Sequence, residues 1–242
     1  MYIIDRLIDC VHGTEADAST HILSENLLMN ALKTEDLTVN DIAAKTALSA
    51  STISRFARQL GFSSVSSLLN EIGEDARKVQ AHFHDLQQAE IEPDAQSRKA
   101  LKQCASLYSR AGQVMVTGHP MYTCAFRDLE HLAYLQGRHW IDIHNGSFAD
   151  MEKALKGLQK EDLLFIIDPH LNRKSFFEEC IVAREMPSLI RDVRCRTVFF
   201  GGQEYHSDET GLSIPVIRFS DRSYLGALHT CATFILQEVM RK

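Results

Sequence analysis

The sequence predicts a two-part chain: an all-α N-terminal domain, then an α/β domain built on a doubly wound, five-stranded parallel sheet. Three observations carry this. No strand pattern appears before Gln113, and the apolar residues up to that point recur at helical spacing. From Gln113 onward, short apolar runs alternate with helical segments, as in a parallel sheet covered on both faces. Between them, Asp85 to Ala100 is polar, contains Pro93 and reads as a linker with helical ends. The expected boundaries are residues 1–80, 81–100 and 101–242. A chain of 242 residues favours two domains over one.

Taken in order, Ile4, Leu7, Ile8 and Val11 give the first helix its apolar face. Ile22, Leu23, Leu27 and Ala31 do so for a second, with Ser19 or Thr20 as N-cap. Thr38, with Asp41 three residues on, opens a short third helix that ends near Thr46–Ala47. Ser49 caps a fourth, Ala50 to Leu60, and Gly61 suits a left-handed C-cap. In the second domain the strands are Gln113–Gly118, His139–Ser147, Asp162–Asp168, Arg194–Gly202 and Ile214–Phe219. Helices are expected over Tyr122–Gly137, through Met151, Ala154, Leu155 and Leu158, over Ser175–Met186 before Pro187, and over Tyr224–Met240.

Composition narrows the class. Hydrophobic residues make up 45% and charged residues 24%, ordinary values for a globular protein. Asp5, Arg6 and Asp9 interrupt the apolar opening, so it does not read as a signal peptide. No apolar run is long enough to span a bilayer. The six cysteines are scattered, without a C-x-x-C pair, and read as reduced thiols in a cytoplasmic protein.

The fourth helix carries the functional signal. Ile53, Phe56, Ala57 and Leu60 gather on one side of its wheel. Ser51, Ser54, Arg55 and Arg58 gather on the other, with Thr52 and Gln59 on the flank. The net charge is −6, yet no carboxylate occurs from Ile42 to Asn70. Two short helices, a tight turn and this surface describe a helix-turn-helix. Arg pairs bidentately with guanine or phosphate, and short hydroxyls bond to phosphates and base edges. The candidate DNA-binding residues are Thr38, Ser49, Ser51, Thr52, Ser54, Arg55 and Arg58, and the expected partner is double-stranded DNA. The plainer alternative is an amphipathic helix pair in a bundle.

The segment from Leu37 to Leu69, and above all "SASTISRFARQLGF" at Ser49 to Phe62, closely resembles the DNA-binding domain of the RpiR family of bacterial transcription regulators. One departure is Ala47, where many members have Gly. The resemblance implies a C-terminal sugar-isomerase (SIS) domain, a phosphosugar effector, subunit pairing and a repressor or activator role in sugar metabolism. It also implies phosphate-cradling loops after the first and third strands. Here those loops are "GHPMYT" and "DPHLNRKS". The second has lost the family's serines and glycine. Pro169 removes an N–H donor and Asp168 repels a dianion. Simple hexose phosphates are therefore expected to bind weakly or not at all. Any bound anion should depend on Arg173 or Lys174.

The expected effector cleft lies at the carboxyl ends of the strands, at Gly118, His119, Thr123, His144, Ser147, His170, Arg173, Lys174 and Ser175. Three of these are His, each following a strand; they lack metal-site spacing and read as polar loop ends, so no metal or cofactor is expected. Two other functions compete. One is a sugar-phosphate isomerase using Glu130, His119 or His170, although no constellation joins them. The other is a dimerisation scaffold with a lost pocket. A homo-oligomer, dimer or tetramer, is expected, because the closing helix carries Leu225, Leu228, Phe234, Ile235, Leu236 and Val239 on more than one side.

Overall fold

The computed structural model describes residues 2–13, 17–91, 93, 95–118, 120–143, 148–168, 193–201, 211–215 and 224–241. It divides into two compact units. One is Met1–Asp85 with His131–Arg138; the other is Leu86–Glu130 with His139–Lys242.

The first unit begins with α1 (Ile3–His12), α2 (Ala18–Met29), a 3-10 turn (Ala31–Asp36), α3 (Val39–Thr46) and α4 (Ala50–Gln59). The long α5 (Val65–Gln88) follows and belongs to this unit as far as Asp85. Ile4, Leu7 and Ile8 of α1 are buried, as are Leu23, Leu27 and Leu28 of α2. α2 packs on α1, α3 and α4. Three expectations need correction. Ile22 is 40% exposed, and Ala31 lies beyond α2 in the 3-10 turn. The cap of α2 is neither Ser19 nor Thr20 but Asp17, whose carboxylate accepts the Thr20 N–H at 2.8 Å. Asp17 sits just before the helix in extended backbone, where its oxygen can turn back to the open amides.

The N-terminus of α1 has no local cap, since Tyr2 supplies no side-chain bond. Asp75 of α5 takes that role. Its side chain is 2% exposed, and it accepts the Ile3 N–H at 2.5 Å and the Lys78 ammonium at 3.0 Å.

The second unit holds α6 (Ala95–Arg110) and five strands: β1 (Gln113–Gly118), β2 (His139–Asp142), β3 (Leu163–Asp168), β4 (Arg196–Gly201) and β5 (Gly211–Pro215). All pairs are parallel, in the order β2-β1-β3-β4-β5. β5 corrects the expected Ile214–Phe219. It starts at Gly211 and is an edge strand, where a proline such as Pro215 is tolerated. The helix expected over Tyr122–Gly137 is stepped: α7 (Pro120–Thr123), a 3-10 turn (Cys124–Phe126) and α8 (Arg127–Leu135). α9 (Phe148–Gly157) follows β2, and α10 (Tyr224–Met240) closes the chain. The helix expected over Ser175–Met186 lies outside the described residues.

The alternation of strand side chains shows why both sheet faces are covered. Met115, Leu164, Ile166 and Phe199 pack with Met151 and Leu155 of α9 and with Leu158, which was expected within the helix but lies just past its end at Gly157. On the opposite face Phe165 and Phe200 stand edge-on, 5.4 Å apart, and Phe126 approaches them at 5.7 and 4.8 Å. With apolar residues at successive positions, neither face could meet water. The apolar residues expected on more than one side of α10 are largely covered within the chain. Leu228, Phe234, Ile235, Leu236 and Val239 are buried, Leu225 is half-buried, and α6 is among the elements that pack on α10.

Candidate nucleic-acid interface and strand-end cleft

The surface of α4 is built by its two ends. Thr38 and Asp41 form a complete capping box at the start of α3: the Thr38 N–H donates to the carboxylate at 2.8 Å, and the Asp41 N–H donates to the Thr38 hydroxyl at 3.2 Å. The Thr38 hydroxyl also donates to Asp41 at 2.6 Å. These bonds hold the Asp41 carboxyl below the usual carboxylate range, the Thr38 hydroxyl contributing most. Thr38 therefore stands beside a negative charge. α3 ends at Ala47, whose φ of 57° is the only left-handed value at a non-glycine among the described residues.

Two residues later Ser49 caps α4, accepting the Thr52 N–H at 3.1 Å. Its hydroxyl also lies 2.7 Å from that of Ser51 and 2.9 Å from that of Thr52. At the other end the Gly61 N–H donates to the Arg58 carbonyl and the Phe62 N–H to the Ala57 carbonyl, with Gly61 at φ 90°. That is a Schellman ending.

Between these ends Ile53, Phe56 and Ala57 are buried. Ser51, Arg55 and Arg58 are exposed, and Thr52 and Ser54 are half-buried. Neither Arg55 nor Arg58 makes a hydrogen bond or ion pair with a described residue. Two features lie outside the earlier residue set. Asp17 is close enough for the Arg55 charge to help hold its carboxyl low, after the larger effect of the Thr20 amide. Ser64 and Ser67 exchange backbone-to-hydroxyl bonds at 3.2 and 3.1 Å and cap α5 beside α4. An S-x-x-S pattern is visible there in the sequence; nothing local ties Asp17 to Arg55.

The order β2-β1-β3-β4-β5 places a topological switch between β1 and β3, so a ligand cleft belongs at their carboxyl ends. Gly118 and Asp168 end those strands. Gly118 has φ 153°, and a side chain there would strike the Ile167 carbonyl of β3, so only glycine fits this approach. Thr123 is buried at the end of α7. The remaining expected cleft residues, His119, His144, Ser147, His170, Arg173, Lys174 and Ser175, lie outside the described residues. Glu130, a candidate base for an isomerase, is 5% exposed and its carboxylate accepts from Arg127 at 3.0 Å. Among the described residues no cluster could hold a metal ion. No described helix is long and apolar enough to cross a membrane.

The second unit thus belongs to the doubly wound parallel α/β class. No family model and no curated protein matches the chain. Three solved structures are distantly similar to it. The Vibrio vulnificus NanR protein complexed with ManNAc-6P is 17% identical, covering 99% of this chain and 89% of that one, with a TM-score of 0.38. The sugar isomerase domain of an RpiR transcription factor from Sphaerobacter thermophilus is 13% identical, covering 69% and 87%, with a TM-score of 0.42. The C-terminal domain of glucosamine-fructose-6-phosphate aminotransferase from Francisella tularensis is 12% identical, covering 84% and 53%, with a TM-score of 0.39. With TM-scores no higher than 0.42, none of these likenesses fixes family or function.

Proposed function

We propose that this chain is a DNA-binding transcription regulator of the RpiR type. In this reading α3, the turn at Ala47 and α4 form a helix-turn-helix, and α4 reads the major groove. The second unit is a SIS-like domain that senses a small ligand or joins subunits, and it carries no catalysis of its own. One observation supports this most: Arg55 and Arg58 stand exposed on a helix capped at both ends, and neither guanidinium makes a hydrogen bond or ion pair with a described residue. A structural helix pair would have little use for two exposed guanidiniums on a helix whose own stretch, Ile42 to Asn70, holds no carboxylate. Duplex DNA offers both phosphates and guanine edges to them.

The test uses the full chain and duplexes that it selects from a randomised pool. Arg55→Ala or Arg58→Ala should weaken binding by about 1–3 kcal/mol where the contact is to a base. Where it is to a phosphate, the salt slope should fall by about one unit. Unchanged affinity in the double variant, with native circular dichroism, would overturn the assignment.

A further inference from the structure

We propose that α1 is a positioning brace for α4, with the Arg6 guanidinium fixing the C-terminal end of the DNA-reading helix. The inference rests on the DNA-binding reading above. The Schellman ending satisfies the carbonyls of Ala57 and Arg58 but leaves that of Leu60 open. Arg6, 54 residues away, donates to the Leu60 carbonyl at 3.0 Å in a partly buried setting. Its charge also complements the negative end of the helix dipole. A cation in a helix's own last turn usually performs this duty. In α4 that cation is Arg58, which is exposed and makes no such bond. Arg6 therefore caps the helix, and Arg58 stays available for a ligand.

The brace is itself anchored. Asp75 of α5 accepts the first amide of α1 at 2.5 Å, placing a buried carboxylate at the positive end of that helix. A polar chain thus runs from α5, through α1, to the end of α4. Base readout demands side chains placed to within about half an ångström, so loosening that end should cost discrimination more than bulk affinity.

The test compares wild type with Arg6→Ala and Arg6→Lys in the full chain. Arg6→Ala should speed amide exchange at Leu60, Gly61 and Phe62 while leaving α3 unchanged. It should also lower the preference for a pool-selected duplex over a shuffled one by about tenfold, the scale of a lost charge-assisted bond. The salt slope should stay the same, because Arg6 contacts no phosphate. Arg6→Lys should restore part of both effects, and it carries the test if the Ala variant fails to fold. Unchanged exchange at the end of α4 would overturn the brace whatever DNA does. So would faster exchange with undiminished preference, or a salt slope reduced by about 0.9, the mark of a direct phosphate contact. If wild type selects no duplex, the DNA reading falls and the inference with it. The exchange data alone would still report the Arg6–Leu60 link.

Discussion

Ala47 holds a backbone conformation that its side chain disfavours. Its φ of 57° and ψ of 26° place the methyl group against the following carbonyl, a strain of about 1–2 kcal/mol. The turn needs this conformation to start α4 with only Ala47, Leu48 and Ser49 between it and the end of α3. Ala47→Gly should therefore stabilise the chain by about 0.5–1 kcal/mol, after the larger unfolded-state entropy of glycine is subtracted. Urea unfolding would show it as a higher midpoint at constant slope, and a lower midpoint would contradict the strain. The cysteines give a second residue-scale prediction. Burial, with a smaller effect from the Asp162 charge, pushes the Cys195 thiol up to about 12, against a reference value of 9.0. Above pH 9.0 the unfolded chain releases a proton that the folded chain keeps. Stability must therefore fall as pH rises from there toward about 12. Cys195→Ala should flatten this alkaline decline. In the native protein a maleimide should label exposed Cys124 and spare Cys104, Cys195 and Cys231, which are buried. Mass spectrometry of the labelled peptides checks the order.

Among the elements, the sheet depends on one side chain at its amino-terminal edge. Asp162 is 6% exposed. It accepts the Gln113 N–H at 3.2 Å, the Gln113 side-chain amide at 2.8 Å and the Gln159 N–H at 2.7 Å. It thereby ties the start of β1 to the turn before β3. Asp162→Ala would strand those donors and should cost about 2–4 kcal/mol, with Asp162→Asn costing less because one oxygen remains to accept. Chemical denaturation of both variants tests this, and a loss under about 0.5 kcal/mol would show that water replaces the carboxylate. This side chain also shows what a sequence conceals. Thr38 with Asp41, Ser49 with Thr52, and Gly61 were legible because both partners of each bond lie within a few residues. The cap of α1 was not, since Asp75 is 72 residues from Ile3. Asp17, Ser19 and Thr20 compete as caps within four positions, and only the extended backbone at Asp17 decides between them. The parallel five-stranded sheet was legible from alternating strand and helix periods, whereas its strand order and the start of β5 at Gly211 were not. The apolar girth of α10 read as a docking side because a sequence does not say how much of a helix its own chain covers.

At the scale of the whole molecule, charge and reach together set how the chain would use DNA under the proposed regulator reading. The net charge of −6 opposes a polyanion, so non-specific attraction is weak and binding has to come from a local patch. That patch is one helix of ten residues, about 15 Å long, which spans only a few base pairs. A single α4 cannot supply useful discrimination among the sites of a genome. Two copies reading half-sites about 34 Å apart would, since the second contact becomes intramolecular once the first is made. The expected complex therefore holds two chains per duplex, or a higher even number. Most of the apolar residues of α10, Leu228, Phe234, Ile235, Leu236 and Val239 among them, are already covered within the chain, so they give little reason to place the pairing surface there. Sedimentation of the complex should report that stoichiometry. Deleting one half-site from a selected duplex should weaken binding by about a hundredfold, the scale of the lost avidity. A single chain bound to a single half-site with undiminished affinity would overturn the pairing and would require α4 to read far more sequence than its length allows.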